Sequence, residues 1–515
     1  MRTTLNVPAP LSPASNALSN EGHPALRWVS LQSLTVIFLG GLNLMLIQWI
    51  LVRELTTLLL GTELVVLLIS GAYFVGLSVG YLVSSRIPQR WLLPCSVLMI
   101  ALHLSLPIWF RLITVGFIRL DAYWLAFIVF PLAIPFVVSS FYSIFLPRFA
   151  DTRGLGIGSL YAVELLGSAA GVMILVALGG LGLLTVLAIY AVSGLMLLFL
   201  LDARRALVVA VAMAIIPWLY GFDAVNKWSN ARWFEAIYHL PDGTETLLST
   251  YSAYQKVDIL QAPNGARYLY LDGLLHFGTD RWSRLNVVMG SVPADLVHPA
   301  RTLVVGAGSM QMERFIAERG GVVTTVELDP AVVEASSRFL SDYNLMNVLT
   351  NRRIIIDDAK HFVANDSETY DLIATDVPSP FAIQTATLYS VPFYEQISKR
   401  LSPNGVLVVN LTTVLNHENV TAKRIAASLL AVFPDVVVVT SRTSGLSFAF
   451  AGKHLPFDLG QLTGTLVAND EADFLIMQRE VVAETVGEAA PITLDSMDLV
   501  LRISASRILD RLKGN

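Results

Sequence analysis

The sequence contains one cysteine and few charged residues. Of its 515 residues only 15% are charged, and Cys95 is the single cysteine. One cysteine excludes an internal disulfide and a cysteine-based zinc site. The net charge of −5 comes without a long basic run, which argues against nucleic acid as a partner. The eight histidines show no metal-ligand spacing, so we expect no metal site.

Apolar residues make up 54% of the chain, far more than in a typical soluble protein, and they are concentrated before residue 222. Apolar segments lie near 30–52, 57–83, 91–110, 122–147, 155–178, 180–201 and 205–222. Each is close to or above the roughly 20 residues that a helix needs to cross a bilayer. We therefore predict a polytopic α-helical membrane bundle of about seven spans at 29–222, after a disordered tail at 1–28. The first apolar run is too long for a signal peptide and lacks a cleavage site.

Two carboxylates, Glu63 and Glu164, fall within these apolar segments. Glu63 is explained by a position at the membrane interface, whereas Glu164 lies in the middle of a segment, where a charge is costly. Glu164 either pairs with another helix or belongs to a polar site for a substrate or a proton. The sequence leaves both open. Small residues such as Gly76, Gly80 and Gly167 indicate close helix packing.

Two indications about the orientation of the bundle in the membrane conflict. Arginines near the segment ends favour a cytoplasmic N-terminus, and an odd number of spans would then place the C-terminal region outside. The pattern at 301–330, described below, is compatible with an adenosine cofactor, and an enzyme that uses one belongs in the cytoplasm, where that cofactor is made. We expect a multi-pass cell-membrane protein that contacts membrane lipid and whose catalytic domain is cytoplasmic, against the charge bias.

After residue 222 the composition becomes that of an ordinary soluble domain. We predict a linker and a small β-hairpin region at 223–300, with strand-like runs at 254–260 and 266–271. Trp228 and Trp233 read as interfacial anchors at the start of the linker. A Rossmann-like nucleoside-binding domain is expected at 301–455 and a C-terminal extension at 456–515.

The segment 301–330 carries the most informative local pattern. An apolar strand runs into Gly306 and Gly308, a helical pattern follows, and a second apolar strand ends at Glu327. Glycines allow close backbone approach to a ligand, and an acid at the next strand end can accept both hydroxyls of a ribose. The third glycine of a dinucleotide fingerprint is missing, near Met312. The segment therefore fits either a nucleoside site or an ordinary tight turn.

Strands then alternate with helices to about residue 451, which predicts an α/β fold with a doubly wound parallel sheet. Acids follow three of its strands: Glu327, the pair Asp357-Asp358, and Asp376. Ligands bind beyond the carboxyl ends of such strands, so these acids should share one edge. Aspartates after strands also cap helices, and Asp358 fits that alternative.

Several further short stretches follow one another in a fixed order: Tyr254-Gln255, LDG at 271–273, VVGAG at 304–308, VELDP at 326–330, DDA at 357–359, YDLIATD at 370–376 and LYSVPFY at 388–394. Taken together, they resemble the spermidine synthase (polyamine aminopropyltransferase) family in its bacterial form fused to a multi-spanning membrane domain. The resemblance spans about 254–453 and implies a Rossmann-like, S-adenosylmethionine-type fold.

The resemblance also implies a ligand and residue roles. Decarboxylated S-adenosylmethionine would be the co-substrate, and no metal would be needed. Besides the glycine loop (Gly306, Gly308), the residues that would hold the adenosine part are Gln255, Glu327, Asp358 and Ala359. Asp376 would be the general base that deprotonates a small-molecule amine. The family further suggests a homodimer.

Three positions depart from the family pattern. Ser309 stands where the glycine loop usually has an aspartate, and Ser379 where a second aspartate follows the base. His276 replaces a glutamine. All three would lie at the amine-binding end. Because a dication needs several carboxylates, these changes argue against putrescine as the acceptor. His276 is either a base or donor near the acceptor, or a wall residue without a chemical role.

Three functions compete at this stage. The first is aminopropyl transfer from decarboxylated S-adenosylmethionine to an amine such as putrescine. The second is methyl transfer from intact S-adenosylmethionine to a membrane-associated acceptor, which fits the loss of a carboxylate at Ser309. The third is a non-catalytic nucleoside-binding domain on a membrane transporter or sensor. We favour the first.

Overall fold

The computed structural model describes residues 24–59, 63–148, 157–177, 182–201, 204–280, 283–306, 308–442, 444–496, 498–503 and 505. Most of the predicted tail at 1–28, Ala307 of the glycine turn and the end of the predicted C-terminal extension lie outside these residues. The described chain forms an N-terminal helical bundle, a small antiparallel sheet and a large mixed sheet, in that order.

The bundle contains eight helical segments. They are α1 (Pro24–Leu58), α2 (Glu63–Val83), α3 (Gln89–Leu104), α4 (Leu106–Arg119), α5 (Tyr123–Arg148, with a π-helical turn at Val129–Ala133), α6 (Ile157–Ala177), α7 (Gly182–Leu200) and α8 (Arg205–Tyr238). Within the described residues, six of them are long and apolar enough to cross a membrane, or seven if α3 and α4 count as one bent span.

The predicted segment at 91–110 does not form one straight helix. The axes of α3 and α4 differ by 71° across a break at Ser105. Pro107 occupies the first turn of α4 and lacks an N–H, so it cannot continue the hydrogen bonding of α3. The other six predicted segments each correspond to one helix.

Glycines allow close packing in the bundle, as the small-residue pattern predicts. Gly76 and Gly80 of α2 lie against the backbone of α5, and Gly167 of α6 lies against that of α1 at Phe38. Glu164 is buried at 5% exposure and accepts a hydrogen bond from Tyr81 Oη at 2.7 Å. The structure thus shows Glu164 paired with another helix.

The chain continues from α8 into a small antiparallel sheet. Its strands are β1 (Glu245–Tyr251), β2 (Lys256–Gln261), β3 (Arg267–Leu271) and β4 (Leu274–Gly278), in the spatial order β1-β2-β3-β4. The predicted hairpin corresponds to β2 and β3. Residues up to Tyr238, which we expected to form a linker, continue α8, and Trp233 is fully buried rather than interfacial.

A cluster of buried charges joins the bundle to the small sheet; we call it the junction cluster (Glu54, Arg111, Tyr251, Lys256, Asp258). Arg111 Nη2 lies 2.7 Å from Glu54 Oε1, and Tyr251 Oη donates to the same carboxylate. Lys256 Nζ lies 3.3 Å from Asp258 Oδ2. All five side chains are at most 3% exposed. Two cations and two anions balance each other there.

The large sheet has eight strands. They are β5 (Arg301–Val305), β6 (Val322–Glu327), β7 (Arg352–Ile356), β8 (Tyr370–Thr375), β9 (Leu401–Asn410), β10 (Asp435–Ser441), β11 (Leu446–Gly452) and β12 (Phe474–Met477), in the order β12-β10-β11-β9-β8-β5-β6-β7. From β9 to β7 all neighbours are parallel. The order reverses between β5 and β8, and such a switch point is where α/β sheets bind ligands.

Helices cover both faces of this sheet. They lie at Ser283–Asn286, Val287–Ser291 (π-helical), Val292–Val297, Gln311–Ala317, Pro330–Phe339, Ser341–Asn344, Ala359–Asn365, Ile383–Ala386, Val391–Arg400, Val420–Val432, Leu459–Ala468 and Arg479–Val486. Successive β5 residues alternate between two cores, with Leu303 and Val305 in one and Val304 in the other. The predicted doubly wound parallel architecture is present from β9 to β7, but the prediction of a parallel sheet was wrong for β10 and β11, which pair antiparallel, as does β12.

Candidate nucleoside-binding site

The glycine turn lies at the switch point of the large sheet. Gly306 has φ +83°, and its N–H donates to Val326 O at 3.0 Å, which brings the turn next to β6. A Cβ at Gly306 would collide with the backbone oxygen of Asp376, so only glycine fits. Gly308 also has a positive φ, +45°. Gly306 is one of the residues that line the cavity described below.

Glu327 ends β6 and is oriented by its neighbours. Its Oε1 accepts the N–H of Asp329 at 2.9 Å. Asp329 is 1% exposed and caps the helix Pro330–Phe339 through Ala331 N at 3.0 Å. Its other oxygen accepts from Ser252 Oγ at 2.6 Å and from Gln255 Nε2 at 3.2 Å. Asp329 therefore connects Gln255 to Glu327. The VELDP stretch contained it, but we had not assigned it a role.

Asp357 and Asp358 follow β7, next to Glu327. Asp357 N donates to Glu327 O at 3.1 Å. Asp358 Oδ1 accepts from Lys360 N at 2.8 Å and so caps the helix that begins at Ala359. The capping alternative is thus realised for Asp358. Asp358 and Ala359 also line the cavity described below.

Asp376 follows β8 and is set against β5. Its N–H donates to Val305 O at 3.0 Å, and its Oδ1 accepts from Asn410 Nδ2 at 3.2 Å. Burial raises the pKa of Asp376, and the Asn410 hydrogen bond opposes that rise. A carboxylate with a raised pKa is a better proton acceptor. Asn410 was not predicted, although it ends β9 at the same edge as the acids.

The small sheet supplies the opposite wall of the site. Gln255 precedes β2, and His276 lies on β4. Burial lowers the pKa of His276 to about 4, so its imidazole is neutral near pH 7. So weak a base is poorly matched to proton abstraction at neutral pH, which favours the wall interpretation of His276.

These elements enclose a cavity of about 830 Å³. Its volume is within the range of small-molecule sites. Its polar lining residues are Gln255, Asp272, His276, Glu327, Asp329, Asp357, Asp358, Lys360, Gln384 and Thr385. Five of the side chains are carboxylic acids and one is a lysine. The cavity therefore presents an excess of negative charge to a ligand.

Two predicted substrate-binding residues are not among those lining this cavity. Ser309 is 8% exposed, and its Oγ accepts from Gln311 N at 3.4 Å, at the start of a helix. Ser379 contributes its backbone oxygen to a turn, accepting from Phe381 N at 2.8 Å. The structure brings Gln255, His276, Glu327 and Asp358 around the cavity, with Asp376 beside it.

A further carboxyl group lies behind the glycine turn. Glu313 is 1% exposed, and its Oε1 lies 3.4 Å from Thr325 Oγ1. Burial raises the pKa of Glu313 to about 8. It was missed because its place in a helical pattern resembles that of a surface glutamate.

Taken together, the switch point, the glycine turn and the acids at three strand ends define a Rossmann-like domain with a candidate ligand site at the carboxyl edge of its sheet. Within the described ranges, no group of three or more His, Cys, Asp or Glu residues could hold a metal ion. The arrangement offers polar groups that can position a ligand and a carboxylate that can accept a proton.

Comparison with known proteins shows what this domain is similar to. Residues 286–451 match the family described as spermine/spermidine synthase domain. The chain is 33% identical over 169 residues to a polyamine aminopropyltransferase from Oceanobacillus iheyensis, which is 32% of this chain and 33% of that protein. It is 29% identical over 190 residues to a polyamine aminopropyltransferase from Thermoplasma volcanium, which is 36% of this chain and 68% of that protein. Residues 286–451 are thus similar in sequence to spermine/spermidine synthase domains.

The matches cover limited parts of the relatives. The chain spans about a third of the length of the Oceanobacillus protein, and the same holds for a polyamine aminopropyltransferase from Mycobacterium tuberculosis, with 32% identity over 171 residues and 31% of each chain. Among solved structures, spermidine synthase from Thermotoga maritima is 22% identical, with a TM-score of 0.39 over 47% of this chain and 84% of that one.

Proposed function

We propose that the protein is an aminopropyltransferase that moves a propylamine group from decarboxylated S-adenosylmethionine to an amine and releases methylthioadenosine. The observation that carries this proposal is the convergence of Glu327, Asp358 and Asp376 at one sheet edge, where Glu327 and Asp358 line a cavity rich in carboxylic acids and Asp376 lies beside it. The family match of the same segment supports it.

The charge of the cavity favours the decarboxylated donor. That donor carries a sulfonium and an ammonium group, and five carboxylic acids against one lysine suit a dication. Intact S-adenosylmethionine has an additional carboxylate, which these acids would repel. Glu327 would hold the ribose hydroxyls, Asp358 and Ala359 would lie along the adenine, and the backbone at Gly306 would approach the sulfur.

Asp376 is suited to the chemical step. It would take a proton from the ammonium form of the acceptor, leaving a neutral amine. The amine nitrogen then attacks the methylene carbon next to the sulfonium; the C–N bond forms as the C–S bond breaks, and the sulfur leaves as a neutral thioether. The carboxylate thus acts as base and also stabilises positive charge nearby.

The acceptor end of the cavity differs from the donor end. The lining residues that follow β8 are Val377, Pro378, Phe381, Ala382, Gln384, Thr385 and Leu388, and none of these is acidic. A second ammonium group would be left without a carboxylate partner here, at a high desolvation cost. A monoamine with an apolar remainder therefore fits this end better than putrescine.

The test is product analysis with purified full-length protein in detergent. Decarboxylated S-adenosylmethionine is supplied with putrescine or with hexylamine, and methylthioadenosine is quantified by mass spectrometry. We expect methylthioadenosine with hexylamine at a higher kcat/KM than with putrescine, and a loss in Glu327→Gln through a higher KM for the donor. No methylthioadenosine with any amine would contradict the proposal. Transfer from intact S-adenosylmethionine instead would support methyl transfer.

The bundle belongs in a membrane, and its contacts favour seven crossings. Arg148, at the end of α5, donates to Ser84 O at 3.2 Å and to Gln89 Oε1 at 2.9 Å, so α3 starts at the end of the bundle remote from the small sheet. At the other end, Tyr123 Oη donates to Leu58 O, just after α4. Together α3 and α4 connect both ends and act as one bent crossing.

Seven crossings place the first helix's start and the cavity on opposite sides. We retain the cytoplasmic side for the cavity, because the donor is an adenosine compound. Arginines at the remote end (Arg86, Arg90, Arg148, Arg204, Arg205) favour the reverse orientation. A reporter active only in the cytoplasm, fused to the C-terminus, decides between the two. The predicted homodimer and lipid contacts can be examined on the same material by native mass spectrometry.

A further inference from the structure

The last turns of α1 hold the chain segment that leads to the donor site. Arg53 Nη1 donates to Tyr254 O at 3.0 Å and Nη2 to Ala253 O at 2.8 Å. One residue along, Glu54 accepts from Tyr251 Oη. Two adjacent residues of the bundle therefore hold the segment 251–254 at both of its ends.

The held segment connects directly to the donor-binding acids. Ser252 Oγ accepts the N–H groups of Tyr254 and Gln255, each at 3.0 Å, and donates to Asp329 at 2.6 Å. Gln255 reaches the same Asp329 oxygen, and Asp329 N–H orients Glu327. An unbroken chain of hydrogen bonds thus runs from Arg53 to the proposed ribose carboxylate.

A second contact supports the neighbouring wall. Gly273, with φ +79°, lies so close to α1 that a Cβ there would stand 2.5 Å from Thr57 O. Tyr238 of α8 donates to Gly273 O at 2.6 Å. Strand β4, which carries His276 into the cavity wall, begins with the next residue, Leu274. Both parts of the wall supplied by the small sheet rest on the bundle.

We propose that Arg53 is a positioning residue for donor binding, so that the bundle forms part of the structural support of the active site. The inference rests on the proposed function for the identity of the donor. Arg53 does not line the cavity and acts through the carbonyls of 253 and 254, which fix Gln255 and, through Asp329, Glu327.

Arginine is well matched to this task. Its planar guanidinium donates to both carbonyls at once, and its Cζ lies 5.6 Å from the ring centre of Trp49, which limits its motion. Without those two bonds the segment can leave the geometry that orients Gln255. We expect donor affinity to fall about tenfold, as if the donor lost one charge-assisted hydrogen bond to the site. The value of kcat should change little, because Asp376 is untouched.

The experiment compares Arg53→Met, Arg53→Lys and Arg119→Met in full-length, detergent-purified protein. Arg119 lies at the end of α4 and is exposed, so its substitution removes the same charge without touching the 251–254 segment. Calorimetry measures the dissociation constant of methylthioadenosine, and steady-state assays give KM for the donor and kcat. We expect about tenfold weaker binding in Arg53→Met, an intermediate value in Arg53→Lys, and wild-type values in Arg119→Met.

The outcomes separate this inference from the proposed function. Wild-type protein that fails to bind methylthioadenosine overturns the proposed function itself. Wild-type binding that Arg53→Met retains unchanged overturns only the positioning role. A melting temperature that matches the wild type shows that the variant is folded; if Arg53→Met does not fold, Arg53→Gln takes its place, with the same expectation. A fall in kcat alone, at unchanged KM, also counts against the proposal.

Discussion

Two clusters of charged residues in this protein differ in how far their positive and negative charges cancel. In the junction cluster, Glu54 and Asp258 are matched by Arg111 and Lys256, and all four are buried. At the cavity, five carboxylic acids face a single lysine. A neutralised cluster holds two parts of a protein together, whereas an unbalanced one is stabilised when a cation arrives. The same residue types therefore hold the bundle and the small sheet together in the junction cluster, whereas at the cavity they are available to a cationic ligand.

The largest effect should come from Asp376, which lies beside the unbalanced cluster. Asp376→Asn keeps the shape and the hydrogen bond to Asn410 but removes the proton acceptor. We expect turnover to fall by about 10²–10⁴, the usual contribution of general-base catalysis. Donor KM and the melting temperature should change little. The rate of methylthioadenosine release measures the turnover. A turnover within a few-fold of wild type would show that another group is the base.

Breaking the balanced cluster should destabilise the fold instead. Arg111→Met leaves Glu54 buried without its cation, which costs about 3–5 kcal/mol. The double variant Arg111→Met, Glu54→Gln removes both charges and should recover part of that loss. Thermal unfolding in detergent provides the measurement. If the single variant is as stable as the double variant, the pair does not hold the junction.

A third effect concerns the pH dependence of stability and isolates a buried carboxyl group outside both clusters. Because folding raises the pKa of Glu313 from 4.5 to about 8, the folded protein binds its proton more tightly. That contribution is complete below pH 4.5 and is lost as pH rises to 8, at about 1.4 kcal/mol per pH unit.

Glu313→Gln should remove this part of the pH dependence. The measurement is the melting temperature of wild type and variant between pH 5 and pH 8. We expect the wild-type value to fall more steeply with pH than that of the variant. Parallel curves would mean that Glu313 does not retain its proton in the folded protein.

Local pattern predicted the large sheet because its strands are short apolar runs between helical patterns. The carboxyl-edge rule then placed Glu327, Asp358 and Asp376 together without any knowledge of distances. The helix caps were harder to assign, since Asp329 serves a helix and the site at once. A pattern cannot show such double use.

The junction cluster could not be predicted from the sequence. Arg111 looks like a charge near the end of an apolar segment, and its partner Glu54 lies 57 residues away. Only folding brings them together. The break at Ser105 was missed for a related reason: hydropathy registers apolar content, and the proline that ends the hydrogen bonding of α3 is itself apolar.

Helix α8 has a consequence for the height of the cavity above the bilayer. It runs without interruption for 34 residues, about 51 Å, whereas the hydrocarbon core is about 30 Å thick. In the proposed membrane placement the final turns project into the aqueous phase, and after six further residues the chain enters the small sheet. Because Tyr238 of α8 also donates a hydrogen bond to Gly273 O of the small sheet, α8 would set the height of the cavity mouth above the lipid headgroups.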